Sequence, residues 1–115
     1  MPELKEIRDA ARTFISDRDW QQFQDPKSIL LALVGEVGEL AELLQWLPSD
    51  EARDRLRQEP LHTHVAEEMA DVLVYLVGLA DQCGVHLGSA ALAKVAASAH
   101  KYPTDENRGV APDKT

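Results

Sequence analysis

The sequence predicts an all-α fold, on the evidence of three features of the chain. Apolar residues recur at steps of three and four over several long segments, which is the spacing of one helix face. None of the six prolines interrupts these segments, so they mark helix ends. No stretch alternates between apolar and polar residues for long enough to build a sheet. The expected architecture is a bundle of four to five helices.

The first half of the chain contains two of the predicted helices. A helix over 3–18 is followed by a polar loop over 18–26 and a second helix over 27–47. The second helix has the clearest pattern, since one face carries only large apolar residues. These are Leu30, Leu33, Val37, Leu40, Leu44 and Leu47.

The second half contains two further strong helices. A weak helix at 49–58 comes first, followed by a long helix over 61–83 that Gly84 is placed to end. An alanine-rich helix over 87–101 completes the set. The apolar face of the long helix consists of Val65, Met69, Val72, Leu76, Leu79 and Cys83.

Length and charge limit the possible functions. A chain of 115 residues is one domain, which we place at 1–102 with a polar, mobile tail at 103–115. The net charge of −8 opposes binding to nucleic-acid polymers and anionic membranes, both of which are bound through Lys and Arg. One cysteine allows no internal disulfide. The start lacks an apolar signal region, and no apolar run could span a bilayer, so a soluble, cytoplasmic protein is expected.

Two pairs of acidic residues stand out on the two best helices. Glu36 and Glu39 form one pair, and Glu68 and Asp71 form the other. Members of each pair are three residues apart and share a helix face. Each acid precedes a residue of the apolar face, which places it about 100° from the centre of that face. If the two helices pack by their apolar faces, all four carboxylates can converge at the edge of the core.

Converging carboxylates favour a cation. They repel one another, so they must take up protons or bind a positive ion. Oxygen ligands suit Mg²⁺ or Mn²⁺, whereas a di-iron bundle would use Glu-x-x-His pairs that this chain lacks. The ordinary alternative is that the acids lie on solvated helix faces. Gly35 and Gly38, inside the second helix, fit either the close approach of a ligand or tight helix packing.

The order of these motifs resembles a known family. The run RDWQQFQDPKSILLALVGEVGELAELLQW, then EEMADVLVYLVGLA, then KYP is similar to the MazG-like all-α nucleoside triphosphate pyrophosphohydrolases, most of all the dCTP pyrophosphatases. The resemblance covers about residues 3–108. It implies a helical homodimer or homotetramer that uses Mg²⁺ to cleave a nucleoside triphosphate to the monophosphate and pyrophosphate. The favoured substrate is dCTP or a modified pyrimidine nucleotide, in a nucleotide-pool housekeeping role.

The resemblance also implies a role for individual residues. The four acids match the family's metal ligands, and Glu39 is the candidate for holding the attacking water. Matching positions imply substrate contacts for Trp20, Phe23, Gln24, Trp46, Tyr75, Lys94 and Lys101. Without the resemblance, Trp20, Phe23 and Trp46 would be interpreted as core residues, and Lys101 as a cation at a helix end.

Three positions depart from the dCTP-type pattern. Ala11 and Gln24 stand where those relatives have His, and Ser98 stands where they have Asn. The predicted metal ligands are all present, whereas the predicted base pocket is altered. Hydrolysis is therefore better supported than selectivity for cytosine. The alternative is a helical interaction protein that keeps the fold and has lost catalysis.

Overall fold

The computed structural model describes residues 2–112, and every regular element within that range is helical. The helices are α1 (Pro2–Asp17), α2 (Pro26–Leu44), α3 (Ala52–Arg55), α4 (Leu61–Cys83), α5 (Leu87–Lys101) and α6 (Thr104–Asn107), with a 3₁₀ turn at Gln21–Phe23. The all-α prediction is confirmed. This range has one helix more than the predicted maximum, because α6 forms a single turn in the segment assigned to a polar tail.

Local sequence signals determine where α2 begins and ends. Asp25 caps its start, since its carboxylate accepts a hydrogen bond from the Ser28 backbone amide at 3.0 Å. Pro26 follows at the first helical position, where its missing N–H costs nothing. The helix ends at Leu44, three residues before the predicted end. Pro48 accounts for the exclusion of Leu47, because a proline disfavours helical conformation in the residue before it.

A residue in the left-handed conformation follows the last turn of both α1 and α4. Gly84 ends α4 with φ 67°, as the sequence predicts. At the end of α1, Asp19 adopts φ 54°. The amide of Trp20 donates to the Ile15 carbonyl at 3.0 Å, and that of Asp19 donates to the Ser16 carbonyl at 3.1 Å. These two bonds form a Schellman motif, which sets the direction in which the chain leaves α1.

The chain divides into two compact units, Met1–Gly84 and Val85–Thr115. In the first unit, both α2 and α1 pack against α4. The buried apolar side chains among the described residues are few and lie on α2 and α4, which places the core between these two helices. They are Ile29, Val65, Val77 and Ala80.

The buried side of α2 differs from the predicted one. Leu30 and Val37 are 46% and 48% exposed, although both belong to the predicted apolar face. The side turned towards the core instead runs from Ile29 through Leu33 and Glu36. Similarly, Met69 of α4 is exposed, whereas Glu68 is half-buried. The placement of Glu36 and Glu68 about 100° from the buried face was therefore wrong: both acids lie on it.

The second unit contains α5 and α6. Leu92 and Val95 of α5 are exposed, and Leu87 is half-buried. Among residues 2–112, no single helix combines the length and apolar character needed to cross a membrane; α4 and α5 meet that test only when counted together.

Candidate functional site

Three carboxylates meet between α2 and α4. Glu36, Glu39 and Glu68 each offer one oxygen, and these oxygens lie within 4.8 Å of one another. Glu36 and Glu39 are brought together by their spacing on α2, and Glu68 is placed opposite them by the packing of α4. The predicted convergence of these three acids is thus observed. Asp71 is exposed one turn along α4 from Glu68, and its carboxylate is outside this group.

Two oxygens of the group are buried without a hydrogen-bond partner. They are Oε2 of Glu36 and Oε2 of Glu68. A buried carboxylate oxygen that nothing satisfies is costly, and such groups are rare in folded proteins. In the described part of the chain, the only side chains that act on these two acids through hydrogen bonds are other acids of the group, so the arrangement fits a ligand that supplies positive charge.

The pKa values of these acids also reflect their burial and their mutual repulsion. Removal from water is the largest cause, and together with the charges of Glu39 and Asp71 it raises the pKa of Glu36 to about 7. The pKa of Glu68 is also raised, first by removal from water and then by the charge of Glu39. Although Asp71 lies outside the group of three, its charge therefore acts on both half-buried acids.

The donor set suits a hard divalent cation. The group consists of carboxylate oxygens alone, and among the described residues no His or Cys joins it. Oxygen-only sites of this kind favour Mg²⁺ or Mn²⁺ over Zn²⁺. The missing histidines also weigh against a di-iron centre.

A cavity of about 280 Å³ lies in the same unit. It is lined by α1, by the loop between α1 and α2, and by the C-terminal part of α4. Gln24, a predicted substrate contact, lines it together with Ala11. On α4 it is lined by Gly78 and Asp81, which follow Asp71 by about 10 and 15 Å of helix rise. A cavity of this volume approaches the size of pockets that hold small ligands.

The predicted aromatic contacts lie on the surface. Trp46 is 85% exposed just beyond the end of α2, and Trp20 and Phe23 are also exposed. The Trp20 ring meets the Phe14 ring edge-on, with centroids 5.7 Å apart. Exposure of this extent excludes the alternative that these rings belong to a core within the described chain. Tyr75 is half-buried on α4, one turn beyond Asp71.

The predicted phosphate contacts belong to the second unit. Lys94 and Lys101 are both exposed on α5. The Lys101 ammonium lies 5.4 Å from the centroid of the Tyr102 ring. Their role towards phosphates stays a prediction, as does the role of Ser98, which is half-buried on the same helix.

Sequence reasoning missed an ion pair beside the cavity. Arg12 donates from Nε to Oδ2 of Asp81 at 2.7 Å, and a terminal nitrogen donates to the other carboxylate oxygen. These residues are 69 positions apart. No periodic pattern marks such a contact, because it depends on how α1 packs on α4.

Comparison with known proteins identifies relatives of the whole described chain. The family model of the MazG nucleotide pyrophosphohydrolase domain matches residues 24–106. The dCTP pyrophosphatase 1 of Bos taurus is 44% identical over 110 residues, which cover 96% of this chain and 65% of the relative. That of Homo sapiens is 45% identical over 102 residues, covering 89% of this chain and 60% of the relative. This chain thus spans slightly less than two thirds of their length.

A solved structure has the same fold. The crystal structure of a pyrophosphatase from Archaeoglobus fulgidus superposes with a TM-score of 0.79 at 34% sequence identity. The match covers 88% of this chain and 93% of the archaeal one.

Proposed function

Because the chain belongs to the MazG nucleotide pyrophosphohydrolase family, we propose that it cleaves a nucleoside triphosphate to the monophosphate and pyrophosphate with the help of Mg²⁺. The relatives named dCTP pyrophosphatase 1 support a deoxynucleotide substrate, with dCTP or a modified pyrimidine nucleotide as the first candidates. Removal of surplus or non-standard nucleotides is the corresponding biological role.

The observation that carries the proposal is the pair of unsatisfied carboxylate oxygens on Glu36 and Glu68. Together with Glu39 and Asp71, these residues would hold Mg²⁺, with Mn²⁺ as a possible substitute. When bound, the cation supplies positive charge that offsets the negative charge of the phosphates. A protein that had lost catalysis would have no reason to keep two half-buried acids, each with a buried oxygen unpaired, at a cost in stability.

Glu39 is the exposed member of the group, and we assign to it the water that attacks the α-phosphorus. Its carboxylate can accept a hydrogen bond from that water and take up the proton as the new P–O bond forms. The bond from the α-phosphorus to its bridging oxygen breaks, and pyrophosphate leaves. Since water is the nucleophile, no covalent intermediate is needed and the exposed Cys83 has no part.

The base would occupy the cavity that contains Ala11 and Gln24. Gln24 offers both a donor and an acceptor to a base edge, whereas Ala11 offers neither. The exposed rings of Trp20 and Trp46 are available to stack on a base, an interaction worth about 1–3 kcal/mol in single-strand binders. Tyr75 lies on α4 between the acids and the cavity residues.

A homodimer or dimer of dimers accounts for the exposed apolar side of α2. Leu31 and Val34 are more than half exposed. Beside them, a Cβ added at Gly35 or Gly38 would meet nothing within 4 Å, so neither glycine serves packing within the chain. A continuous apolar surface of this kind marks an interaction site. Light scattering should give at least a dimer mass, and Leu31→Glu should yield monomers; a monomeric wild type would refute this.

The activity itself is tested by incubation with each of the four deoxynucleoside triphosphates and Mg²⁺. Monophosphate and pyrophosphate should appear, and Glu36→Gln or Asp71→Asn should lower the rate by about 100-fold or more. The matched control is Glu42→Gln, which removes an exposed acid of the same helix outside the carboxylate group. No turnover of any nucleotide by the wild type would refute the proposed function, and equal losses in all variants would refute the metal site.

A further inference from the structure

The cavity has one acidic side chain in its wall. Among the described residues that line it, Asp81 is the only carboxylate, and it faces a surrounding of amides, arginines and small apolar groups. Ala11, Val77 and Gly78 form apolar wall and offer no hydrogen bond through their side chains. Arginine, glutamine and serine side chains in the same wall can also meet the polar edge of a base, but among the described lining residues Asp81 alone carries a negative charge.

Asp81 is fixed in place by Arg12. The guanidinium donates one hydrogen bond to each carboxylate oxygen, which is the bidentate geometry that gives such pairs their orientation. The carboxylate is only 20% exposed, whereas Arg12 is mostly exposed. The hydrogen bond from Arg12 lowers the pKa of Asp81, so the side chain is ionised at neutral pH.

An ionised carboxylate can only accept hydrogen bonds. Each of its oxygens has two acceptor positions, and Arg12 fills one on each. The remaining positions can accept from an amino group on a base, as acidic side chains accept from the amino group of cytosine. A carbonyl oxygen at the same place would meet the negative charge and leave the acceptor unpaired, which is strongly unfavourable in a partly closed site.

We propose that Asp81, positioned by Arg12, is the specificity-determining residue that selects bases carrying an amino group over bases carrying a carbonyl at the same position. This inference rests on the proposed nucleotide hydrolysis and adds to it the residue that reads the base. A cytosine nucleotide is accepted and the corresponding uracil nucleotide is rejected.

The two bases give a matched test, because cytosine and uracil differ in an amino group against a carbonyl oxygen. We would measure kcat/KM for dCTP and dUTP with the wild type and with Asp81→Asn, whose amide can donate as well as accept. The wild type should favour dCTP, and the variant should reduce the ratio by about tenfold or more. Asp9→Asn is the matched control, since Asp9 also lies near Arg12, at 3.9 Å, and does not line the cavity.

Arg12→Met separates base reading from a purely structural role. It leaves the carboxylate present but poorly held, so the preference for dCTP over dUTP should shrink, whereas a purely structural role would lower kcat/KM for both nucleotides by the same factor. If Asp81→Asn unfolds because Arg12 is left unpaired, the double variant Arg12→Met with Asp81→Asn takes its place, since it removes both charges. It should lose the preference for dCTP over dUTP to the extent expected for Asp81→Asn.

Two results would overturn the inference without touching the proposed function. One is a wild type that hydrolyses dCTP and dUTP equally well. The other is an Asp81→Asn variant that slows both nucleotides by the same factor, which is the result expected if the ion pair only joins α1 to α4. A wild type that hydrolyses no nucleotide at all would instead refute the function on which the inference rests.

Discussion

Adding Mg²⁺ to the metal-free protein should release protons, and their number should depend on how far Glu36 is protonated beforehand. Removal from water and the charges of Glu39 and Asp71 raise the pKa of Glu36 from 4.5 to about 7. A carboxyl group with this pKa is about half protonated at pH 7, about nine-tenths at pH 6 and about one-tenth at pH 8. Since a bound cation favours the ionised carboxylate, binding displaces this proton.

Isothermal titration calorimetry measures this release when the same titration is run in two buffers of different ionisation enthalpy. We expect Glu36 to release about half a proton per site at pH 7, more at pH 6 and almost none at pH 9. The raised pKa of Glu68 adds to the release in the same direction. Glu36→Gln should lose the Glu36 share, whereas the control Glu42→Gln should behave as the wild type.

This role of Glu36 is refuted if proton release does not change between pH 6 and pH 8. It is also refuted if Glu36→Gln binds Mg²⁺ and releases as many protons as the wild type at each pH. Either result would mean that Glu36 is ionised in the metal-free protein and that the carboxylates do not repel strongly enough to hold a proton.

Three further predictions concern stability. The pKa of Glu36 is higher in the folded than in the unfolded protein, so its protonated form stabilises the fold below about pH 4.5, and that contribution is lost as the pH rises through 7. In metal-free thermal melts, Glu36→Gln should therefore have the same Tm as the wild type at about pH 4.5 and a higher Tm at about pH 8. The opposite order would show a structural role for Glu36. Gly78→Ala should raise the free energy of unfolding by about 1 kcal/mol, or about 4 °C in Tm, because the added Cβ meets nothing within 4 Å. The same methyl group narrows the cavity, so KM should rise. A Tm below that of the wild type would contradict the open space at this position. Asp19→Val should cost about 1–3 kcal/mol because Asp19 has φ 54°, whereas Asp19→Gly should be nearly neutral; equal urea midpoints for the two variants would argue against the left-handed turn.

The helices were predictable from sequence because their ends carry local signals. The bounds of α4 follow from its apolar period and from Gly84, and those of α5 from its alanine-rich composition. The spacing of Glu36 and Glu39 likewise predicted that they share a face. Such features depend on residues within a few positions of one another, which a single sequence displays directly.

The buried side of α2 was not predictable in this way. Leu30, Leu31 and Val34 are apolar as well as Ile29 and Leu33, so the helix offers more than one apolar face with the correct period. Which face turns to the core depends on α4, and hence on contacts distant in sequence. The ion pair of Arg12 with Asp81 was missed for the same reason, and with it the charged wall of the cavity.

Because α4 is one continuous helix, it holds the two ends of the proposed site at a fixed separation. Asp71 and Asp81 are ten positions apart, which corresponds to about 15 Å along the helix axis. In the proposed reaction, a nucleotide that contacts both ends must be extended, and its affinity comes from two modest attachments linked by its own covalent chain. Cleavage breaks that link: pyrophosphate is no longer joined to the base in the cavity, and the monophosphate is no longer joined to the two outer phosphates. Each product then lacks the advantage of being tethered, so hydrolysis itself weakens binding and favours turnover.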